Sequence, residues 1–268
     1  MRKLSASAIT TFRSCPYSFY YRYIQNLKRI DIEENENFKL GKAFHSILEN
    51  ANTISKDYDI DKKTFLSIVA SADYIYENYK LEAVGELTLK QIFESVKVLK
   101  EYTINIDGYI GFIDLVIPLK TGDILIDYKY VGSFEYADSY AISDQSKIYP
   151  TLYTKQTGRT VAKIVYLCVN KPTIRLKKTE TDTAYLERVK EWYTAGDKVK
   201  EIIIEGEQLE ELKKEFEVDM HYIKHMIEND IYYKNPSNCL KYGSQCDFFP
   251  ICSNEENYEV LYKGGVSK

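Results

Sequence analysis

The apolar run Ile124-Leu125-Ile126 leads into Asp127 and, two residues on, Lys129. Such a run reads as a buried strand, and alternate strand residues share a face, so a carboxylate and an ammonium stand side by side at the end of a core element. Taking both out of water costs free energy unless they pair or bind something. Alone, Asp-x-Lys is explained by an ion pair at a strand end, because such tripeptides are common. A second acid changes that reading. Asp114 interrupts another apolar stretch, with Tyr109 to Ile113 before it and Val116-Ile117 after it. Asp107-Gly108 and Thr121-Gly122-Asp123 are turn signals, so strands are expected over about 101–107, 109–118 and 123–130. That meander sets Asp114 beside Asp127. Close carboxylates repel, and a divalent cation held by oxygen ligands is the usual resolution. Water on such a cation is more acidic than free water, and a nearby lysine can position or deprotonate it.

Two further segments extend the pattern: Gly41-Lys-Ala-Phe-His45 and Gln145-Ser-Lys-Ile-Tyr149. With Gly111-Phe-Ile-Asp114 and Ile126-Asp127-Tyr-Lys129, they resemble the PD-(D/E)XK nuclease superfamily, in the RecB-like branch that includes nuclease domains of bacterial helicase-nucleases, CRISPR adaptation nucleases and many phage exonucleases. The resemblance implies an α/β fold with a restriction-endonuclease-like core, a mixed central sheet flanked by helices. It implies Mg2+ or Mn2+ bound by His45, Asp114, Asp127 and the backbone carbonyl of Tyr128, with Lys129 as the catalytic lysine. Gln145 and Tyr149 match the Gln-x-x-x-Tyr element that orients the active site or the DNA. Asp127 stands where Glu is commoner in the family, a choice the pattern allows.

Five cysteines, an odd number, without a signal peptide or transmembrane stretch, argue against a secreted disulfide framework and for a cytoplasmic protein. Cys239, Cys246 and Cys252 are packed closely enough to suggest metal ligation, and a fourth ligand is then needed. Cys15 is the candidate. It lies in a Ser-x7-Cys-Pro opening typical of the RecB-like branch, in which the N-terminal cysteine often joins three C-terminal ones around a 4Fe-4S cluster. Six residues between Cys239 and Cys246 depart from the more frequent C-x2-C-x5-C spacing. Thiolate chemistry leaves structural Zn2+ as the alternative. Cys168, in a strand-like run, reads as a small buried hydrophobe.

The 268 residues read as a single nuclease domain over 1–268, with no low-complexity linker or repeat. Its core is expected at about 39–50 plus 101–170, with a helical insertion at about 57–100. C-terminal helices over 180–204 and 207–230 would lead into a cysteine module, the whole spanning about 180–255 and joining the chain's two ends. Net charge is −4, so DNA affinity must come from a local basic stripe, with candidates at Arg13 and Arg22, Lys28-Arg29, Lys147 and Lys155, and Lys171 to Lys178. Tyr17, Tyr20, Tyr21 and Tyr23 suit base stacking or a packed core. His221-x-x-x-His225 has zinc spacing without a third ligand and reads as surface histidines.

The expected function is a divalent-metal-dependent deoxyribonuclease, an exonuclease acting on single-stranded DNA or DNA ends, in a bacterial or phage-infected cell. The competing class is a DNA-binding subunit of a recombination or phage-DNA-processing complex with weak cleavage; an RNA nuclease or a sequence-specific endonuclease is a third reading. No phosphate-binding Gly-x-x-x-x-Gly-Lys-Ser/Thr segment is present, so any translocation would come from a helicase or recombination partner, and no membrane is involved.

Overall fold

In a computed structural model, the structure describes residues 3–32, 35–50, 55–241, 244–255 and 258–264. The principal elements in chain order are α1 (Ala6–Ser14), α2 (Glu36–Asn50), α3 (Lys62–Glu77), β1 (Leu99–Ile106), β2 (Tyr109–Ile117), β3 (Asp123–Val131), α4 (Asp144–Thr157), β4 (Val161–Asn170), α5 (Asp182–Thr194), β5 (Val199–Glu205) and α6 (Gly206–Glu228). The strands form one five-stranded sheet in sequence order, β2 antiparallel to β3, β3 parallel to β4, and β4 antiparallel to β5. This is the mixed α/β architecture expected, with helices against the sheet.

The chain divides into two compact units: residues 34–104 with 112–212, and residues 1–33 with 105–111 and 213–268. The reading of one domain does not anticipate this division. In the first unit, alternate residues Leu115 and Ile117 of β2, Ile124, Ile126 and Tyr128 of β3, and Val165, Leu167 and Val169 of β4 form one buried sheet face. Ala43, Phe44 and Leu48 of α2, Ile68 and Ile75 of α3, and Tyr185 and Val189 of α5 cover it. The intervening residues, Asp127 and Lys129 among them, therefore point to the opposite side of the sheet.

That second side is covered by α4, and buried polar contacts fix its position. Ser143 caps α4 by accepting the Ser146 N–H, and Gly158 ends it in the left-handed conformation at φ 72°. At the far end, fully buried Asp123 accepts from Tyr153 Oη at 2.7 Å and Arg159 Nε at 2.6 Å. Burial alone would raise the Asp123 pKa, but Arg159 and Tyr153 outweigh it and hold the carboxyl below its ordinary value. At the near end, Tyr166 Oη of β4 lies 2.7 Å from Ser146 Oγ and 3.0 Å from Ser143 Oγ. Gln145 and Tyr149 are thereby held over β3.

Two local expectations are corrected. The helix expected over 180–204 stops at Thr194, and Val199–Glu205 is the fifth strand. Ile202, Ile203 and Ile204 are β-branched and favour an extended chain, and pairing with β4 overrides the helical reading. Within the insertion at 57–100, helix is interrupted by a short antiparallel pairing of Lys80–Leu81 with Leu87–Thr88, and β1 already begins at Leu99.

In the second unit, Leu4 bridges Tyr109, with its N–H donating to the Gly108 carbonyl at 2.8 Å. Lys28–Arg29 pairs antiparallel with Tyr262–Lys263. The N-terminal tyrosines pack with one another and with C-terminal rings, Tyr20 lying 4.8 Å from Tyr232 and Tyr21 5.6 Å from Phe248. Of the two uses open to them, packing is the one observed. His221 and His225 are exposed on α6. Among the described residues, no helix is long and apolar enough to cross a membrane.

Candidate metal centre and active site

The site opens where the sheet splits. Pairing between β2 and β3 runs from Ile117↔Ile124 to Leu115↔Ile126, one residue short of Asp114 and Asp127. Beyond that point the Tyr128 N–H takes a side chain, donating to Asp114 Oδ2 at 2.7 Å. N–H and C=O of one strand residue face the same edge, so the Tyr128 carbonyl is directed toward Asp114 as well.

From α2, His45 reaches this split, its Nδ1 3.2 Å from Asp114 Oδ1. One helical turn further, Glu49 joins them, and ligand atoms of His45, Glu49 and Asp114 all lie within 4.8 Å of one another. Glu49 is the residue that the sequence reading missed, although its i, i+4 spacing from His45 places both on one helix face. Glu49 Oε1 is buried with no hydrogen-bond partner. A buried carboxylate oxygen in that state needs a proton or a cation. Burial and the hydrogen bond with Glu101 push the Glu49 carboxyl up to about 8. Glu101 is held in β1 at φ 48°, a sparsely populated conformation for a non-glycine residue. An imidazole and carboxylates suit a hard or borderline divalent ion such as Mg2+ or Mn2+, so the residues fit the group the resemblance implies.

Asp127 and Lys129 share a face as expected, Oδ2 to Nζ at 2.6 Å. Gln145 fastens the pair: its Oε1 accepts from Lys129 Nζ at 2.9 Å, and its Nε2 donates to Asp127 Oδ1 at 3.2 Å and to Tyr149 Oη at 3.3 Å. Only this amide orientation gives the ammonium an acceptor and the carboxylate a donor. Asp127, expected as a metal ligand, is thus engaged by Lys129 and Gln145, while Glu49 completes the close donor group with His45 and Asp114. Lys129 Nζ also lies 5.3 Å from the Tyr140 ring centre and 5.5 Å from that of Tyr166, and the two rings stack. Burial, the largest single influence, would lower the Lys129 pKa, but the charge and hydrogen bond of Asp127, with Tyr166 and Asp114, together outweigh it and hold the ammonium above its ordinary value. For His45, burial is the largest single influence and pulls down, but the hydrogen bond and charge of Asp114, with the charge of Asp127, together leave the imidazole raised.

His45, Glu49 and Lys129 border one cleft of about 590 Å3, lined also by Phe38, Gly41, Lys42, Glu101, Tyr128 and Tyr140 among others. Several expected basic contacts lie on other business. Arg13 pairs with Asp219, Arg22 with Asp247 and Arg29 with Asp31.

The four expected thiols, Cys15, Cys239, Cys246 and Cys252, line a separate cavity of about 140 Å3 in the second unit. Asn235 and Asn238 both donate to the Ser14 carbonyl, bringing the Cys239 segment to Cys15. Tyr242 and Gly243, within the cysteine segment, lie outside the described residues. Burial raises the Cys246 and Cys252 thiols, and the neighbouring thiols add to the effect. Among the described residues, no three of these sulfurs lie within 4.8 Å of one another. A single tetrahedral zinc would hold thiolates about 3.8 Å apart, given its ~2.3 Å bonds. Cys168 is fully buried in β4, opposite Lys129 in register.

The family model of the PD-(D/E)XK nuclease superfamily matches residues 3–253, and the chain belongs to that superfamily. Its members are nucleases that use divalent metals. Among curated proteins none matches the chain. Among solved structures, one described as the crystal structure of SSO0001 aligns over 61% of this chain and 79% of its own, at 14% identity and a TM-score of 0.24.

Proposed function

We propose that this chain is a divalent-metal-dependent deoxyribonuclease, an exonuclease of the RecB-like branch that hydrolyses phosphodiester bonds in single-stranded DNA or at DNA ends. The supporting observation is a cleft lined by His45, Glu49 and Lys129, with Asp114 grouped with the first two as metal donors and Asp127 and Gln145 fixing the lysine. His45, Glu49, Asp114 and the Tyr128 carbonyl would hold Mg2+ or Mn2+, which when bound acidifies a water and polarises the scissile phosphate. Lys129, kept protonated by Asp127, serves as a cation toward the phosphate and an orienting donor rather than as a proton acceptor. Gln145 and Tyr149 hold that ammonium in place.

Four thiols lining one cavity support a metal site in the second unit, which we assign to a 4Fe-4S cluster with structural Zn2+ as the alternative. A cytoplasmic setting, with reduced thiols, and a helicase or recombination partner as the source of movement along DNA complete this reading.

The nuclease reading is tested by DNA cleavage with Mn2+ titrated from pH 6 to 9. Glu49 must lose its proton to bind a cation, so the half-saturating Mn2+ concentration should fall as pH rises toward about 8 and level off above it. Glu49→Gln should need about tenfold or more Mn2+ and show a flatter dependence. Cleavage that persists in chelator overturns the metal assignment.

A further inference from the structure

The N-terminal half of α2 carries a feature that the metal chemistry does not use. Phe38 is 56% exposed at the lip of the catalytic cleft. Lone exposed aromatics are ordinary on protein surfaces. This one is placed by the helix: Phe38, Gly41 and Lys42, His45 and Glu49 recur at three- to four-residue spacing along one face. Seven residues of helix set Phe38 about 10 Å from His45 along the axis, roughly the span from a phosphate to the base of an adjoining nucleotide. Lys42 Nζ lies 4.1 Å from the Phe38 ring centre, so a positive charge already covers part of the ring. Between the ring and the metal donors, Gly41 lines the cleft, and a Cβ built on it meets nothing within 4 Å. Packing therefore does not demand glycine there, whereas glycine in a helix interior is destabilising. Its absent side chain leaves room for another chain to approach the helix backbone.

We propose that this face of α2 is the track for one unpaired DNA strand: a base stacks on Phe38, the sugar-phosphate passes over Gly41, and the next phosphate reaches the His45, Glu49 and Asp114 group. The proposal rests on the nuclease reading and deepens it, making Phe38 a residue that selects single strands over duplex, whose bases are already stacked. Phe38 is a positioning residue and takes no part in bond breaking. Aromatic stacking tolerates any base, so no sequence preference is expected from it.

The test uses the full chain in EDTA and single-stranded oligodeoxynucleotides carrying 2-aminopurine at successive positions from either end. One position near an end should show a fluorescence change on binding that Phe38→Ala abolishes and Phe38→Trp retains. Phe38→Ala should weaken binding by about tenfold, the loss of one stacked base. An abasic site at that position should weaken wild type equally and Phe38→Ala no further, because contact partners couple. Independent losses, undiminished affinity of Phe38→Ala, or no single-strand binding by wild type would each overturn the proposal. Binding in EDTA does not depend on cleavage. Failure of the nuclease reading would appear separately, as strand binding and a Phe38 effect without metal-dependent cutting.

Discussion

Lys129→Ala is expected to lose DNA cleavage by about 10²- to 10³-fold, the scale of removing one preorganised charge that faces a developing anion. It should also lose stability, because it strips Asp127, only 5% exposed, of the cation 2.6 Å away. Breaking a buried pair from one side costs about 3–5 kcal/mol. The cost should depend on pH with a definite sign. Burial already raises the Asp127 pKa, with Lys129 the main force opposing it, so the variant raises that pKa further. A carboxyl whose folded pKa exceeds its unfolded value of about 3.9 does no harm below the unfolded value, and stability falls as pH climbs from there to the folded pKa. Urea melts of the variant should therefore show a larger deficit against wild type at pH 7.5 than at pH 4.5. Adding Asp127→Asn should restore stability without restoring cleavage. Equal deficits at both pH values would mean that Asp127 is not the group left exposed to the loss.

The second large effect is expected in the other unit. Protein purified without oxygen should contain iron and acid-labile sulfide in a four-to-four ratio, with broad visible absorption. Cys246→Ser should lose both and lower stability by several kcal/mol, because metal-binding energy at such a site is folding energy. Burial raises the Cys246 thiol, so the empty site holds a neutral, inert sulfur rather than a charged one. Elemental analysis distinguishes the readings: one zinc and no sulfide would replace the cluster with the zinc alternative. Metal-free wild type, or a Cys246→Ser variant as stable as wild type, would remove the metal site altogether.

What could be read from the sequence was what periodicity carries. The strands ending at Ile117 and Val131 and the shared face of Asp127 and Lys129 follow from alternation and turn residues, whereas the proximity of His45 to Asp114 was implied only by the family resemblance. Glu49 lies four residues from His45 on the same helix face, but the Gly-x-x-x-His pattern ends at the histidine. Glu101 carried no signal, because nothing in Lys100-Glu101-Tyr102 announces a positive φ inside a strand. The ring pair that flanks Lys129 was equally silent: Tyr140 and Tyr166 lie on a turn of 3-10 helix and on β4, and only tertiary packing brings them together. The strand at Val199–Glu205 carries a helix-like pattern because its edge position leaves alternation incomplete, with burial concentrated at Ile202 and Ile204. Charge was the least informative property. The basic residues that looked available near the N-terminus are paired with Asp219, Asp247 and Asp31.

Cleavage of end-labelled single- and double-stranded DNA by the anaerobically purified protein, with and without Mn2+, and beside Asp114→Asn, tests the central claim most directly. Asp114 accepts from both His45 and Tyr128, so the isosteric amide keeps the fold while weakening the donor set. The expected result is Mn2+-dependent cutting by wild type, preferring single strands and proceeding from an end, and falling by at least about 10²-fold in Asp114→Asn. No cutting by folded, metal-supplied wild type, or equal cutting by the variant, would contradict it; the first outcome would leave a DNA-binding subunit as the reading to pursue.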